Sequence, residues 1–275
     1  MSINDLETRF LLLKPYIIEA GIKIKSMRDR NELKTRIKQD GSIVTNADEW
    51  GNDFLCKHIR QLYPEETVIG EESSDKSYKP GTKHVWYVDP VDGTTNYTSN
   101  SKDYFILVGY CRDGVPVLGI HYQPETGQII YGYKGIMPKL SIDMNKSQPI
   151  KIAPAFWNGS PRVHIKTKDP EIRNQVTGFG VKKAVYTKGM ADMIAPLFKK
   201  SEGYVSFRSN HYWDVAAPAA IMRSAGFHIA ANDQKHEYKS AMNDGNVRTN
   251  FFYSLPPDVP KKFVDHLKQV NQNRR

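Results

Sequence analysis

The segment from Tyr104 to Tyr133 constrains this chain more than any other. Apolar and polar residues alternate there in three runs, separated by Arg112-Asp113-Gly114 and by Pro124-Glu125-Thr126-Gly127. A period of two sorts side chains to the two faces of a strand, and short connectors of this composition are hairpin signals. The spacing predicts an antiparallel meander, with sheet dominating the middle third of the chain.

Helical patterns flank it. Phe10, Leu13, Ile17, Gly21 and Ile24 recur at helical spacing, which predicts an amphipathic helix over about 5–29 that Pro15 can kink. After the polar turn Asp40-Gly41-Ser42, the short stretch Ile43 to Thr45 leads to Asn46, read as the N-cap of a second helix that Pro64 stops after about Leu62. Asp48 then falls in its first turn. Val68-Ile69-Gly70 and His84 to Val88 are short apolar runs, and each delivers acids at its end: Glu71-Glu72 and Asp89. Beyond Gly135 the pattern weakens. Strand candidates at Arg162–Ile165 and Lys183–Tyr186 alternate with helical stretches near 169–176 and 189–199. An Ala-rich helix over Trp213–Ala225 ends at Gly226, and a last helix runs from about Val259 to Gln269. A boundary between 140 and 160 divides the chain into 1–150 and 151–275.

At 275 residues the chain suits one large domain or two sub-domains around a continuous core. Its 39 Lys and Arg against 30 Asp and Glu give a net charge of +9, a far field that attracts anions. The basic residues are scattered, in short clusters such as Lys182-Lys183 and Lys261-Lys262, without the aromatic-interleaved stripe of a nucleic-acid surface. Nucleic acid is therefore not the expected partner. Two cysteines, Cys56 and Cys111, are too few for a disulfide framework or a zinc site. No run approaches ~20 apolar residues, and Asp5 and Glu7 stand where a secretory leader would be basic. The expectation is a soluble cytoplasmic protein without membrane association.

The chemistry concentrates in Val88-Asp89-Pro90-Val91-Asp92-Gly93-Thr94-Thr95, where a strand ends in two acids separated by Pro90 and one apolar residue. Proline fixes φ and Gly93 permits a tight bend, so both carboxylates can face one point while Thr94 and Thr95 open a helix. Like charges held together are costly unless a cation sits between them. Mg2+, a hard ion taking carboxylates, carbonyls, waters and phosphate oxygens, answers that need. An isolated Asp-Pro-x-Asp could equally be a pair of helix caps. Glu71 after its strand and Asp214 at the start of a helix could each be simple caps too, and together they could complete a two-metal site.

Four blocks in order, Ile43-Val44-Thr45-Asn46-Ala47-Asp48, Gly70-Glu71-Glu72-Ser73, Asp89 through Tyr97, and Trp213-Asp214-Val215-Ala216-Ala217 closing at Ala225-Gly226, resemble the signature blocks of the inositol monophosphatase superfamily. The resemblance implies a mixed α/β fold, a layered αβαβα sandwich of the sugar-phosphatase type. It also implies a lithium-sensitive, Mg2+-dependent phosphomonoesterase, a small anionic phosphorylated substrate and a homodimer. Carried over residue by residue, Glu71, Asp89, the Val91 carbonyl, Asp92 and Asp214 match metal-binding positions. Asp48 and Thr94, with Glu71, match the groups associated with activating the attacking water. Gly93, Thr94 and Thr95 at the helix start would hold the phosphate, and Asp214 also borders the substrate.

Substrate choice rests on the less characteristic part of the chain. The inositol monophosphatases place an acid about seven positions before the aspartate of the Trp-Asp pair, and here that position is Phe207. Phe207 with Arg208 suits an adenine and a second phosphate, as in the related 3′(2′),5′-bisphosphate nucleotidases. Thr95-Asn96-Tyr97 instead resembles the inositol branch, which makes an inositol monophosphate-type substrate the leading expectation and the nucleotidase the alternative. Fructose-1,6-bisphosphatase activity and a non-catalytic basic binding protein are further alternatives. Lys188-Gly189-Met190-Ala191-Asp192 occupies the place of the family's pocket-lining helix start. His84, His121 and His211 are read as structural or rim residues.

Overall fold

The computed structural model describes residues 3–76, 82–142, 148–150, 157, 159–184, 191–231 and 248–274. The meander is the middle of a seven-stranded sheet. Its strands, in spatial order, are β3 (Thr67–Gly70), β4 (His84–Asp92), β5 (Phe105–Arg112), β6 (Val115–Gln123), β7 (Gln128–Tyr133), β8 (Lys139–Ile142) and β9 (Gln148–Pro149). The two hairpins close where the turn residues require, with Arg112 opposite Val115 and Gln123 opposite Gln128. Every neighbouring pair is antiparallel except β3 and β4, which run parallel and so bring their carboxyl ends to one edge.

Two helices, α1 (Ile3–Asp29) and α2 (Asn46–Leu62), cover one face of this sheet, preceded in the case of α2 by the hairpin β1 (Thr35–Ile37) and β2 (Ile43–Thr45). Phe10, Leu13, Ile17 and Ile24 are buried there with Trp86, Val88 and Tyr110, as their helical spacing demands. Pro15 is accommodated inside α1. The N-cap of α2 is Thr45 rather than Asn46: the Thr45 hydroxyl accepts from the amides of Ala47 and Asp48, and the Asp48 carboxylate accepts from the Thr45 amide. A threonine followed three residues later by an acid makes a reciprocal cap that Asn46 cannot, so the helix starts one residue earlier than an Asn46 cap would place it, at Asn46 itself.

The opposite face carries α6 (Tyr212–Ser224) and the short α5 (Ala191–Ile194) with a 3-10 turn over Ala195–Phe198, and these helices are covered in turn by a five-stranded sheet. That sheet has the order β11 (Lys182–Lys183), β10 (Arg162–Lys166), β12 (Gly203–Ser206), β16 (Phe252–Leu255) and β14 (His228–Ala231). A separate two-stranded sheet pairs β13 (Asn210–His211) antiparallel with β15 (Arg248–Thr249). The outermost layer is α4 (Pro170–Thr177) and α7 (Lys261–Gln272), packed through Ile172, Val176, Phe263 and Leu267. The succession of helices, sheet, helices, sheet and helices is the expected five-layer sandwich. The helix expected over 189–199 is shorter, because Pro196 has no amide to donate and diverts the chain into the 3-10 turn. Tyr186 and Lys188-Gly189-Met190 lie outside the described residues.

The central helix sits directly on the sheet. A Cβ added to Gly119 would stand 2.0 Å from the Ala217 carbonyl oxygen, so only glycine lets α6 approach this closely. The alanines of α6 complete that seam, and they set the height at which its first turn, with Asp214, meets the strand ends. No described helix is long and apolar enough to cross a membrane.

Candidate active site

Asp89 does not end its strand. β4 continues to Asp92 through an irregularity in which Asp89 pairs with Leu107 and Asp92 with Phe105. Two residues on β4, Pro90 and Val91, thus stand against one on β5, Ile106, which is a bulge. In a regular strand, residues three apart face opposite sides. The extra residue restores the parity, and Asp89 and Asp92 face the same side as their partners Leu107 and Phe105, toward α6. Pro90 fits this interruption because it has no amide to give to a ladder. The turn expected from Pro90 and Gly93 is therefore a bulge followed by a turn, with Gly93 in the left-handed region at φ 89° as the N-cap of α3 (Thr94–Thr98).

Further acids arrive from both sides of the sheet. Glu71 follows β3, the parallel neighbour of β4, and its amide is held by the Val88 carbonyl at 2.9 Å. Asp48 comes from the first turn of α2, on one face, and Asp214 from the first turn of α6, on the other. The Thr94 hydroxyl donates to Asp48 Oδ1 at 2.9 Å and stands 3.2 Å from the Val91 carbonyl oxygen. Asp48 Oδ2 is taken by the Thr45 amide and hydroxyl. Asp89 Oδ1 accepts from the Val91 amide at 3.0 Å, and Asp214 Oδ2 from the His211 amide at 3.1 Å.

Asp48 and Asp89 are almost wholly buried, at 1% and 2% exposure. Burial raises the Asp89 carboxyl well above the usual carboxylate range, and the charges of Glu71, Asp92, Asp214 and Asp48 push it further. Asp214 is raised in the same way, first by its surroundings and then by Glu71 and Asp92, with Lys166 and the His211 amide partly opposing. Asp48 is raised by burial against the hydrogen bonds from Thr45 and Thr94. Each acid thus feels the others, as expected of carboxylates assembled to share a cation.

The donor set fits Mg2+: oxygen alone, from carboxylates and the Val91 carbonyl, converging with more negative charge than the neighbouring lysines offset. Among the described residues no three His, Cys, Asp or Glu side chains stand close enough together to hold a metal ion as they are placed.

Sequence reasoning missed Lys38, which donates to Glu71 Oε1 at 2.9 Å and also bonds Glu72. Burial opposes its charge, but the two glutamates outweigh burial and raise its pKa. Nothing in the spacing marks it, since it reaches the site from the β1–β2 turn. Thr45 was also missed, although Thr-x-x-Asp before a helix is a readable capping signal. Phe207 is corrected: it is 2% exposed in the outer core, its ring 5.3 Å from Phe251 and under the Arg274 guanidinium at 5.4 Å. It follows β12 into the layer facing α4 and α7. Thr95 is exposed beside the helix start. His84 bonds the Tyr110 hydroxyl, and His121 is buried and held neutral, its pKa lowered to about 3 by burial.

The sequence profile of the inositol monophosphatase family matches residues 10–252. The quinic acid degradation cluster protein x of Neurospora crassa is 37% identical over 250 residues, covering 80% of this chain and 74% of its own. The 3′(2′),5′-bisphosphate nucleotidase CysQ of Aggregatibacter actinomycetemcomitans is 24% identical, covering 90% and 93%. A solved structure of an IMPase/NADP phosphatase complexed with Mg2+ and phosphate superposes with a TM-score of 0.76 at 15% identity over 95% of each chain.

Proposed function

Since this chain belongs to the inositol monophosphatase family, we propose that it hydrolyses a small phosphorylated metabolite of the inositol monophosphate type. Members of the family are phosphomonoesterases with Mg2+ as cofactor. The observation that carries the reading is the bulge that turns Asp89 and Asp92 to one side, next to the hydrogen-bonded pair Thr94 and Asp48. Glu71, Asp89, the Val91 carbonyl, Asp92 and Asp214 would hold the metal, which when bound acidifies water and neutralises phosphoryl charge.

Thr94 and Asp48 orient the attacking water. The Thr94 hydroxyl gives its proton to Asp48 in a hydrogen bond, which leaves its oxygen as the acceptor for a proton of the water. Asp48, raised by burial, is the eventual base, and the bonds from Thr45 fix its direction. The amides of Gly93 and Thr94, beside exposed Thr95, face the phosphate, and Asp214 borders the organic part. Residues 1–150 thus supply most of the acids, while 151–275 complete the site with Asp214 and shape the pocket. Inhibition by lithium, a homodimeric assembly and a cytoplasmic setting are proposed on the family resemblance, and two free, buried cysteines suit a reducing compartment.

The bisphosphate nucleotidase reading is favoured by the Aggregatibacter relative. It loses the base-stacking role of Phe207, which is core. The test is phosphate release with Mg2+, with and without lithium, from inositol 1-phosphate, 3′-phosphoadenosine 5′-phosphate and fructose 1,6-bisphosphate. Preferred, lithium-sensitive turnover of inositol 1-phosphate is the expected result. Preference for the adenosine bisphosphate would replace the first reading with the second, and silence across the panel would overturn both.

A further inference from the structure

The other pole of the seven-stranded sheet carries a second concavity. Arg112 pairs with His84 at the start of β4, eight residues from Asp92, so at ~3.3 Å per residue it lies roughly 25 Å from the acids. Arg112 joins Lys134, just beyond β7, and Arg223, in the last turn of α6, around an opening of about 600 Å3. Arg112 is half-buried and the other two are exposed. None of the three makes an ion pair or a side-chain hydrogen bond with a described residue. By contrast Arg9, Arg28 and Arg162 each hold a glutamate.

Three cations around one mouth repel one another, and the one carboxylate among the described lining residues, Asp113, leaves an excess of two positive charges there. The floor is aliphatic, with Val115, Val117, Ile136 and Met137, the last 49% exposed. Among the described lining residues no aromatic ring offers a face for stacking. A dianion neutralises the rim, and an aliphatic body covers the floor.

We propose that this pole is a binding site for an organic phosphate dianion with an aliphatic body, separate from the catalytic cluster. The site uses charge for capture and the apolar floor for selectivity over inorganic phosphate.

The experiment labels lysines of the full-length, Mg2+-loaded protein with an acetylating reagent and reads each by peptide mass spectrometry. Hexylphosphonate serves as the probe because its C–P bond resists hydrolysis. It is expected to slow labelling of Lys134 at least about fivefold while leaving Lys261, 91% exposed on α7, unchanged. Inorganic phosphate should need about tenfold more for the same protection, given the buried apolar body. Arg112→Gln and Arg223→Gln should each weaken protection about tenfold and leave Mg2+-dependent phosphate release unchanged. Labelling of Lys134 that ignores hexylphosphonate, matches that in sodium chloride of equal ionic strength, or stays protected in both variants would overturn the site.

Discussion

The two helix starts that meet at the strand ends are built differently. Asp48, at the start of α2, has one carboxylate oxygen committed to Thr45 and the other to Thr94, and it is 1% exposed. Asp214, at the start of α6, is bonded by the His211 amide and keeps about a quarter of its side chain exposed. In the proposed mechanism the first acid is fixed as a proton acceptor should be, and the second has the freedom of a group that would border a variable substrate. The same contrast extends to the layers behind them. The seven-stranded sheet contributes Glu71, Asp89, Asp92 and Thr94 to the site, whereas the five-stranded sheet places its aromatic candidate, Phe207, in a packed core.

Four substitutions would sharpen or break this division between chemistry on one sheet and packing on the other. Asp92→Asn should lower kcat/KM by about 10³-fold or more, ~4 kcal/mol of transition-state stabilisation, with an unchanged circular dichroism spectrum. Steady-state turnover near the parent value would remove Asp92 from the site. Phe207→Ala should instead cost about 3–5 kcal/mol in denaturant unfolding while turnover per folded molecule stays constant. A change in substrate preference with intact stability would restore Phe207 to the pocket. Thr94→Ala should slow turnover about 100-fold, with Mg2+ affinity by titration calorimetry little altered. Equal loss of both would assign Thr94 to the metal rather than to the water. Thr45→Ala should be mildest, with ~1 kcal/mol lost from the α2 cap and kcat lowered about tenfold as Asp48 loses its anchor. A thermal melt and kcat measured together test whether the cap also aims the acid.

Much of this was legible beforehand because periodicity and turn chemistry are local. Arg112-Asp113-Gly114 marked a hairpin, and the acids ending the strands before Glu71 and Asp89 marked a converging edge. The bulge was not legible, since Asp-Pro-x-Asp reads as a turn until its partner strand shows Leu107 and Phe105 opposite the two acids. Lys38 was hidden for a related reason: its contact with Glu71 joins residues 33 positions apart and leaves no periodic trace. Phe207 misled because a count along the chain locates a position but not its side, and β12 turned that residue to the outer layer.

The seam between Gly119 and Ala217 has a mechanical consequence. Main chain meets main chain there with no side chain between them to rearrange, so the contact is stiff where an ordinary core contact yields by changing rotamers. Gly109 against Ala216 and Gly132 against Ile221 and Ser224 carry the same close approach to the end of the helix, so sliding of α6 along its axis is resisted from its middle to its C-terminal end. The half of α6 that ends at Arg223 is therefore seated along the sheet, and a displacement there reaches Asp214 as a movement of the whole helix.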